Sequence, residues 1–373
     1  MESSQWGTSG GTPDSAASLR GELTEVRVIA TGGMALIFKA RQPALDRFIV
    51  VKKLKEELLS HPETLERFRR EAKALASVLH QNVAHVYDFV ENGKESYILM
   101  EYIDGIDVSK VIEKVGHLPP RVAASILLGV AKGVGYLHAH HLIHRDIKPS
   151  NIRLTTRGEV KLMDFGIVMN IENQGLTRPG MMVGSPSYLS PEQVLGDSIS
   201  QKADLFLLGI CFYEMLTGVR PFKDEGNQTV FQRIREAIYV PAQRMQSQVP
   251  KALDRIVNRC LKKDPKDRYE SVKALIRDLE TYLGHHQATH TEETLLKYLD
   301  EEALLVPAVD YDNSLPPKRR TDWFTLAILF LALLGAIVVG IASYWAGRQS
   351  VISAGFHSLE KAYPPPKSLK ANP

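Results

Sequence analysis

His144-Arg145-Asp146-Ile147-Lys148-Pro149-Ser150-Asn151 is the stretch on which the reading of this chain turns. An Asp and an Asn stand five positions apart with a Lys between them, and Asp164-Phe165-Gly166 follows thirteen positions after the Asn. Asp and Asn side chains are hard oxygen donors that suit magnesium. One eight-residue pattern can arise by chance, but a second carboxylate at a short, fixed distance downstream makes chance a poor explanation.

Upstream of this stretch, Val26 to Val51 alternates and is rich in Val, Ile and Phe, which predicts strands closing on a turn at Thr31-Gly32-Gly33. Pro62 to Val78 carries Leu65, Phe68, Ala72 and Leu75 at helical spacing, and strands are expected again at Val83 to Val90 and Ser96 to Tyr102. Beyond Asp104 helices dominate. Val122, Ile126, Val130, Val134 and Leu137 form one apolar stripe, and Ala203 to Leu216 is apolar nearly all round, as a central buried helix would be. A small β-rich lobe followed by a larger helical lobe implies an α+β, two-lobed architecture with a cleft, and clefts between lobes are where ligands sit.

With 373 residues and 44% hydrophobic content the chain has ample material for a buried core. A net charge of +3, with Lys and Arg evenly spread, argues against nucleic acid as the main partner. Cys211 and Cys260 lie within apolar helical stretches and read as small buried hydrophobes in a reducing cytosolic environment.

Residues 1 to 22 lack the apolar centre of a signal peptide and are expected to form a disordered leader. Trp323 to Ala346 is 24 residues without a charged side chain. That is about 36 Å of helix against a hydrocarbon core of about 30 Å. A transmembrane helix is therefore expected, with Trp323, Tyr344 and Trp345 as interfacial anchors. Lys318, Arg319 and Arg320 precede it and Arg348 alone follows closely, so the lipid bilayer is expected to hold the large N-terminal region on its cytoplasmic side, as in a single-pass protein of the cytoplasmic (inner) membrane. Gly335, Ala336, Gly340 and Ala342 would allow close helix packing, and hence a homodimer. Residues 285 to 322, with a short helix near Glu292 to Leu305 and the Pro316-Pro317 pair, read as a juxtamembrane linker, and 347 to 373 as a short extracytoplasmic tail.

From Val26 to Leu283 the chain resembles the eukaryotic-like protein kinases, and most closely the bacterial membrane-anchored serine/threonine kinases. The motifs carrying the resemblance are those quoted above, with Ile49-Val50-Val51-Lys52, Arg69-Arg70-Glu71-Ala72, Ser190-Pro191-Glu192, Asp204, and Arg268 in Asp264-Pro265-Lys266-Asp267-Arg268. The resemblance implies a kinase domain over 23–284, with the N-lobe to about residue 103, using ATP and Mg²⁺, or Mn²⁺, on protein Ser/Thr hydroxyls. It makes Asp146 the acceptor of the substrate proton, Asn151 and Asp164 the metal ligands, and Lys148 a second cation near the transferred phosphate. It also makes Lys52 the holder of the nucleotide phosphates and Glu71 its partner. Asp204 would open the buried helix and Arg268 would pair with Glu192. Lys148 two residues after Asp146 is the serine/threonine pattern. His144 is expected to shape the loop without acid–base work.

Departures from the family pattern fall around the nucleotide. Against a loop that normally shows three glycines, the chain reads Ala30-Thr31-Gly32-Gly33-Met34-Ala35-Leu36-Ile37, with Ala30 and Ala35 at the outer positions. Ala30 is expected to stiffen the turn and weaken the grip on phosphate. Val50 replaces the usual Ala of the adenine pocket. Arg153 stands where an apolar residue is usual, and either stacks on adenine or turns to solvent. Met100 would guard the back of the pocket, with backbone of Glu101 to Ile103 as the hinge. Arg145 beside the catalytic Asp marks kinases ordered by an activation-loop phosphate, for which Thr177 is the first candidate, while Ser185 is assigned to the substrate site. A membrane-tethered pseudokinase, motivated by Ala30, Val50 and Arg153, is the rival reading, and a small-molecule kinase a more distant one.

Overall fold

The computed structural model describes residues 23–91, 95–164, 186–284 and 288–304, with the side chains of Arg67 and Glu71 left aside. The leader, Thr177, Ser185, the Phe165-Gly166 pair, the proposed span and the tail lie outside the described residues.

Five antiparallel strands build the small lobe: β1 (Thr24–Thr31), β2 (Ala35–Gln42), β3 (Arg47–Leu54), β4 (Val86–Glu91) and β5 (Ser96–Glu101), in the order β1-β2-β3-β5-β4. Two helices interrupt them, α1 (Glu56–Leu59) and α2 (Pro62–Ala76). Proline starts α2, where the missing N–H costs nothing. Phe68, Ala72 and Leu75 are buried, so the spacing seen in the sequence does mark its inner face. The strand expected from Val83 begins only at Val86. Val83 instead bridges to Leu162 and the Ala84 N–H donates to Leu162 O at 2.9 Å, joining this segment to the large lobe.

The large lobe comprises α3 (Val108–Val115), α4 (Pro120–Ala139), α5 (Pro191–Leu195), α6 (Gln201–Thr217), α7 (Val230–Glu236), α8 (Ala242–Met245), α9 (Lys251–Cys260), α10 (Val272–Leu283) and α11 (Thr291–Glu301). It also holds a three-stranded sheet in which β6 (Gly105–Asp107) precedes α3, while β7 (Ile152–Thr155) and β8 (Val160–Leu162) follow α4. Helix α4 is long and apolar enough to cross a membrane, yet 72% of its apolar window is buried, as befits the core helix of this lobe. Helix α6 is buried on every side, Cys211 included, and Cys260 of α9 is equally enclosed, with both thiols free. Burial raises both thiols above their ordinary value, so they act as apolar filling.

Gly105 is required where it stands: at φ 152° a Cβ would run into the Leu154 carbonyl of the paired strand. The short helix expected near Glu292 to Leu305 is present at Thr291–Glu301. In the structure the stretch read as the start of a linker contains α11, which packs on α4 and buries Leu295, Tyr298 and Leu299, with Leu304 just beyond it.

Candidate active site

Asp204 is fully buried in the first turn of α6, and its carboxylate organises the loop that carries Asp146. Oδ2 accepts the His144 N–H and Oδ1 the Arg145 N–H, each at 2.9 Å. His138 Nε2 at the end of α4 lies 2.8 Å from Oδ2. Gln193 of α5 adds a bond from Nε2 to Arg145 O at 3.2 Å. The loop backbone is thus held from two helices, and Arg145 takes a left-handed φ of 69° within it.

His144 is completely buried, and burial pushes its pKa down, so the ring is neutral. Its Nε2 lies 3.3 Å from Met163 O and its Nδ1 faces the Asp146 N–H at 3.4 Å. One tautomer serves both, with Nε2–H donating and Nδ1 accepting. The ring ties the loop to the residue before Asp164, which is the shaping role expected for it.

The hairpin β7–β8 brings the oxygen donors together. Asn151 closes a one-turn 3₁₀ helix immediately before β7, Asp164 lies two residues past β8, and Ile152 pairs with Leu162 between them. Asn151 Nδ2 donates to Asp146 Oδ2 and Asp146 O, both at 2.9 Å, and lies 3.4 Å from Asp164 O. Lys148 Nζ holds the Asp146 carboxylate at 2.7 and 3.0 Å. Asp164 has φ 46°, a strained value for a non-glycine. Among the described residues no group hydrogen-bonds or pairs with the Asp164 carboxylate, and the Asn151 nitrogen is already committed, leaving Oδ1 as its available atom. Two hard oxygen donors side by side fit a divalent cation.

On the nucleotide side, Lys52 of β3 stands opposite Ile37 of β2 and Ile98 of β5, and Val50 opposite Met100, which is buried. Glu71 lies in α2, its side chain outside the described set. The turn from Gly32 to Met34 is closed by Gly32 N–H donating to Ala35 O at 2.9 Å, and Met34 O accepts from Lys55 N–H at 3.0 Å. Ala30 sits in β1 opposite Ile37, just after a register irregularity between Val28 and Ala30, and has no positive φ. The tight bend itself is made by the residues after Ala30, from Gly32 to Met34.

At the hinge, the Glu101 N–H donates to His85 O at 2.8 Å, and its side chain reaches Lys161 of β8 at 2.9 and 3.1 Å. Among the described residues the buried Ile103 N–H makes no hydrogen bond. Arg153 does not turn out to solvent. It donates from Nη2 to Gly105 O at 2.9 Å and pairs with Asp107 at 3.3 Å, across the β6–β7 register. Burial holds the Asp107 carboxyl above its usual range, with Arg153 opposing.

Glu192 and Arg268 meet as expected in a buried bidentate pair at 2.8 and 2.9 Å. A model of the protein kinase domain matches residues 23–279, well over half of the chain. This chain belongs to the protein kinase domain family. The kinase domain is 37% identical to the probable serine/threonine-protein kinase CPE1738 of Clostridium perfringens over 255 residues, 68% of this chain and 37% of that one. It is 34% identical to the serine/threonine-protein kinase PrkC of Bacillus subtilis over 263 residues, 70% of this chain and 41% of the relative. With the serine/threonine-protein kinase PknA of Mycobacterium tuberculosis the identity is 36% over 266 residues, 70% and 61% of the two chains. The matched kinase domain spans less than two thirds of the length of each of these relatives. The crystal structure of Rad53 1-466 with AMP-PNP superposes with a TM-score of 0.59 at 20% identity, over 70% of this chain and 65% of that one, which gives a shared fold.

His138, Gln193 and Lys161 support the site but were not singled out in the sequence. Each acts across a long separation: His138 and Asp204 are 66 positions apart, Glu101 and Lys161 are 60.

Proposed function

We propose that this chain is an ATP-dependent serine/threonine protein kinase, held to the cytoplasmic face of a membrane by a helix at Trp323 to Ala346. The observation that carries the reading is the cluster of Asp146, Lys148, Asn151 and Asp164 within hydrogen-bond reach of one another. Asn151 Oδ1 and the Asp164 carboxylate would hold Mg²⁺, which neutralises phosphate charge when bound. Asp146 accepts the proton of the acceptor hydroxyl as that oxygen bonds to the γ-phosphorus. The bond from phosphorus to the bridging oxygen breaks and its electrons leave with ADP. Lys148 balances charge beside Asp146, and Lys52 holds the α- and β-phosphates. The Ile103 N–H is suited to the adenine edge.

The Ser/Thr specificity is supported by Lys148 and by the serine/threonine-protein kinases among the relatives. The membrane anchor, the linker that follows the domain, the activation-loop role of Thr177 with Arg145, autophosphorylation and a homodimer through the span rest on the sequence alone. The scaffold reading is weakened because Ala30 imposes no strain and Arg153 has its own partners.

Transfer of labelled phosphate from ATP and Mg²⁺ by the full chain in membranes is the test, with Asp146→Asn and Lys52→Met alongside. Signal in the parent alone, mapped to Ser and Thr, supports the proposal. Silence in all three despite nucleotide binding would return the scaffold reading.

A further inference from the structure

The matched family region stops at residue 279, yet the described structure goes on to a helix seated on the hairpin that carries Asn151 and Asp164. Helix α11 buries Leu295 and Leu299 completely and Tyr298 almost so, joining the main core. At its N-terminal end it meets the turn between β7 and β8. Gly158 in that turn has φ 78°, and a Cβ there would strike the Glu292 carbonyl and the Leu296 side chain of α11. The turn and the helix are therefore fitted to each other at backbone distance.

The other contacts of the hairpin make it a short stiff lever. Asn82, in the loop after α2, donates from Nδ2 to Val160 O and accepts the Leu162 N–H on its own carbonyl, both at 2.9 Å. Val160 packs against Gly129 of α4, where a Cβ would not fit. β7 has four residues, about 13 Å of strand, between the turn under α11 and the end bearing the oxygen donors. A change in how the turn is seated reaches Asn151 and Asp164 through paired backbone, with no flexible segment between.

We propose that α11 is a positioning element of the active site, which sets the β7–β8 hairpin and thereby the affinity of Asn151 and Asp164 for a divalent cation. This rests on the reading of those two residues as cation ligands. Gly158, Leu295 and Leu299 act through the hairpin and touch no substrate.

The experiment uses the full chain with Leu299→Ala, and Leu299→Met as the volume-conserving control. Amide hydrogen exchange is followed over 291–301 and 152–162, and Mn²⁺ binding with a non-hydrolysable ATP analogue is measured by electron paramagnetic resonance, which needs no turnover. Leu299→Ala is expected to speed exchange in both segments and weaken Mn²⁺ binding on the order of 10-fold, with Leu299→Met restoring both. Faster exchange confined to 291–301, with hairpin exchange and Mn²⁺ binding as in the parent, overturns the proposal. If Leu299→Ala does not fold, Leu299→Val is judged by the same two readouts. Absence of Mn²⁺ binding in the parent would remove the cation reading itself, and absence of phosphate transfer with normal Mn²⁺ binding would remove only the kinase reading.

Discussion

The Arg268 guanidinium closes on the Glu192 carboxylate through two parallel hydrogen bonds of 2.8 and 2.9 Å, with both side chains shut off from solvent. Arg268 spends its remaining donors on the carbonyls of Lys262, Lys202 and Lys263, so one residue joins α5, α6 and the loop after α9. Removing either partner strands a buried charge, at a cost of about 3–5 kcal/mol. Arg268→Ala is expected to lower the unfolding free energy obtained from urea denaturation by that amount. Glu192→Leu with Arg268→Met should cost less than Arg268→Ala alone, because no charge is then left uncompensated. A double variant as unstable as the single one would show that the carbonyl contacts, and not the charge, dominate.

Asp204 has three donors for its two oxygens: the His144 and Arg145 N–H groups and His138 Nε2. An amide in its place keeps one accepting oxygen. Asp204→Asn is expected to lose about 2–3 kcal/mol of stability. Because the loop it releases carries Asp146, phosphate transfer measured well below the melting temperature should fall by up to about 100-fold. Full activity in a chain that is merely less stable would mean that the loop is held without Asp204.

A pH dependence should arise at Glu214. Burial raises its carboxyl above the usual value of 4.5, opposed by a hydrogen bond from Tyr188 and by Arg220. Between the ordinary value and the raised one, the folded chain keeps a proton that the unfolded chain has released. Stability from this group therefore falls as pH rises through that window, and the full penalty is present above it. Glu214→Gln keeps an acceptor for the Tyr188 hydroxyl, 2.6 Å away in the parent, without the charge. Its melting temperature is expected to exceed the parent's at pH 7 and to converge with it as pH falls below 4.5. Parallel profiles would refute the assignment.

The parts of the site that were legible in the sequence are those whose partners lie close in the chain. Asp146, Lys148 and Asn151 fit within six positions, and their mutual bonds follow from one loop. Asp164 was legible because a hairpin of two short strands is the simplest path back to Asn151. The course of Arg153 was not legible, for the opposite reason. Its partner Asp107 is 46 positions away, and only the β6–β7 register brings them together. Ala30 was judged by residue type, whereas its effect depends on whether the bend falls on it or on Gly32 to Met34. The seating of α11 was hidden as well: an acidic first turn and a few apolar residues describe an amphipathic linker helix equally well, and the fit depends on Gly158, 134 positions before Glu292.

Tyr298 is where that seating is imperfect. Its ring lies in the core against the large lobe, but its hydroxyl is buried and finds no hydrogen-bond partner among the described residues. Burial, with the nearby Glu302 charge, pushes the phenol up to about 12, so the group stays protonated at neutral pH and its donor goes unused. A buried polar group without a partner costs about 1–3 kcal/mol, whereas the ring itself contributes by burial. Tyr298→Phe keeps the ring and deletes the orphan. It is expected to raise stability by about 1 kcal/mol and to slow hydrogen exchange across 291–301. Tyr298→Ala should do the reverse, costing about 3–5 kcal/mol, since the cavity would open between α11 and the core. Should Phe prove destabilising, the hydroxyl must be satisfied in solution, and α11 would then be held by a polar contact as well as by its apolar face.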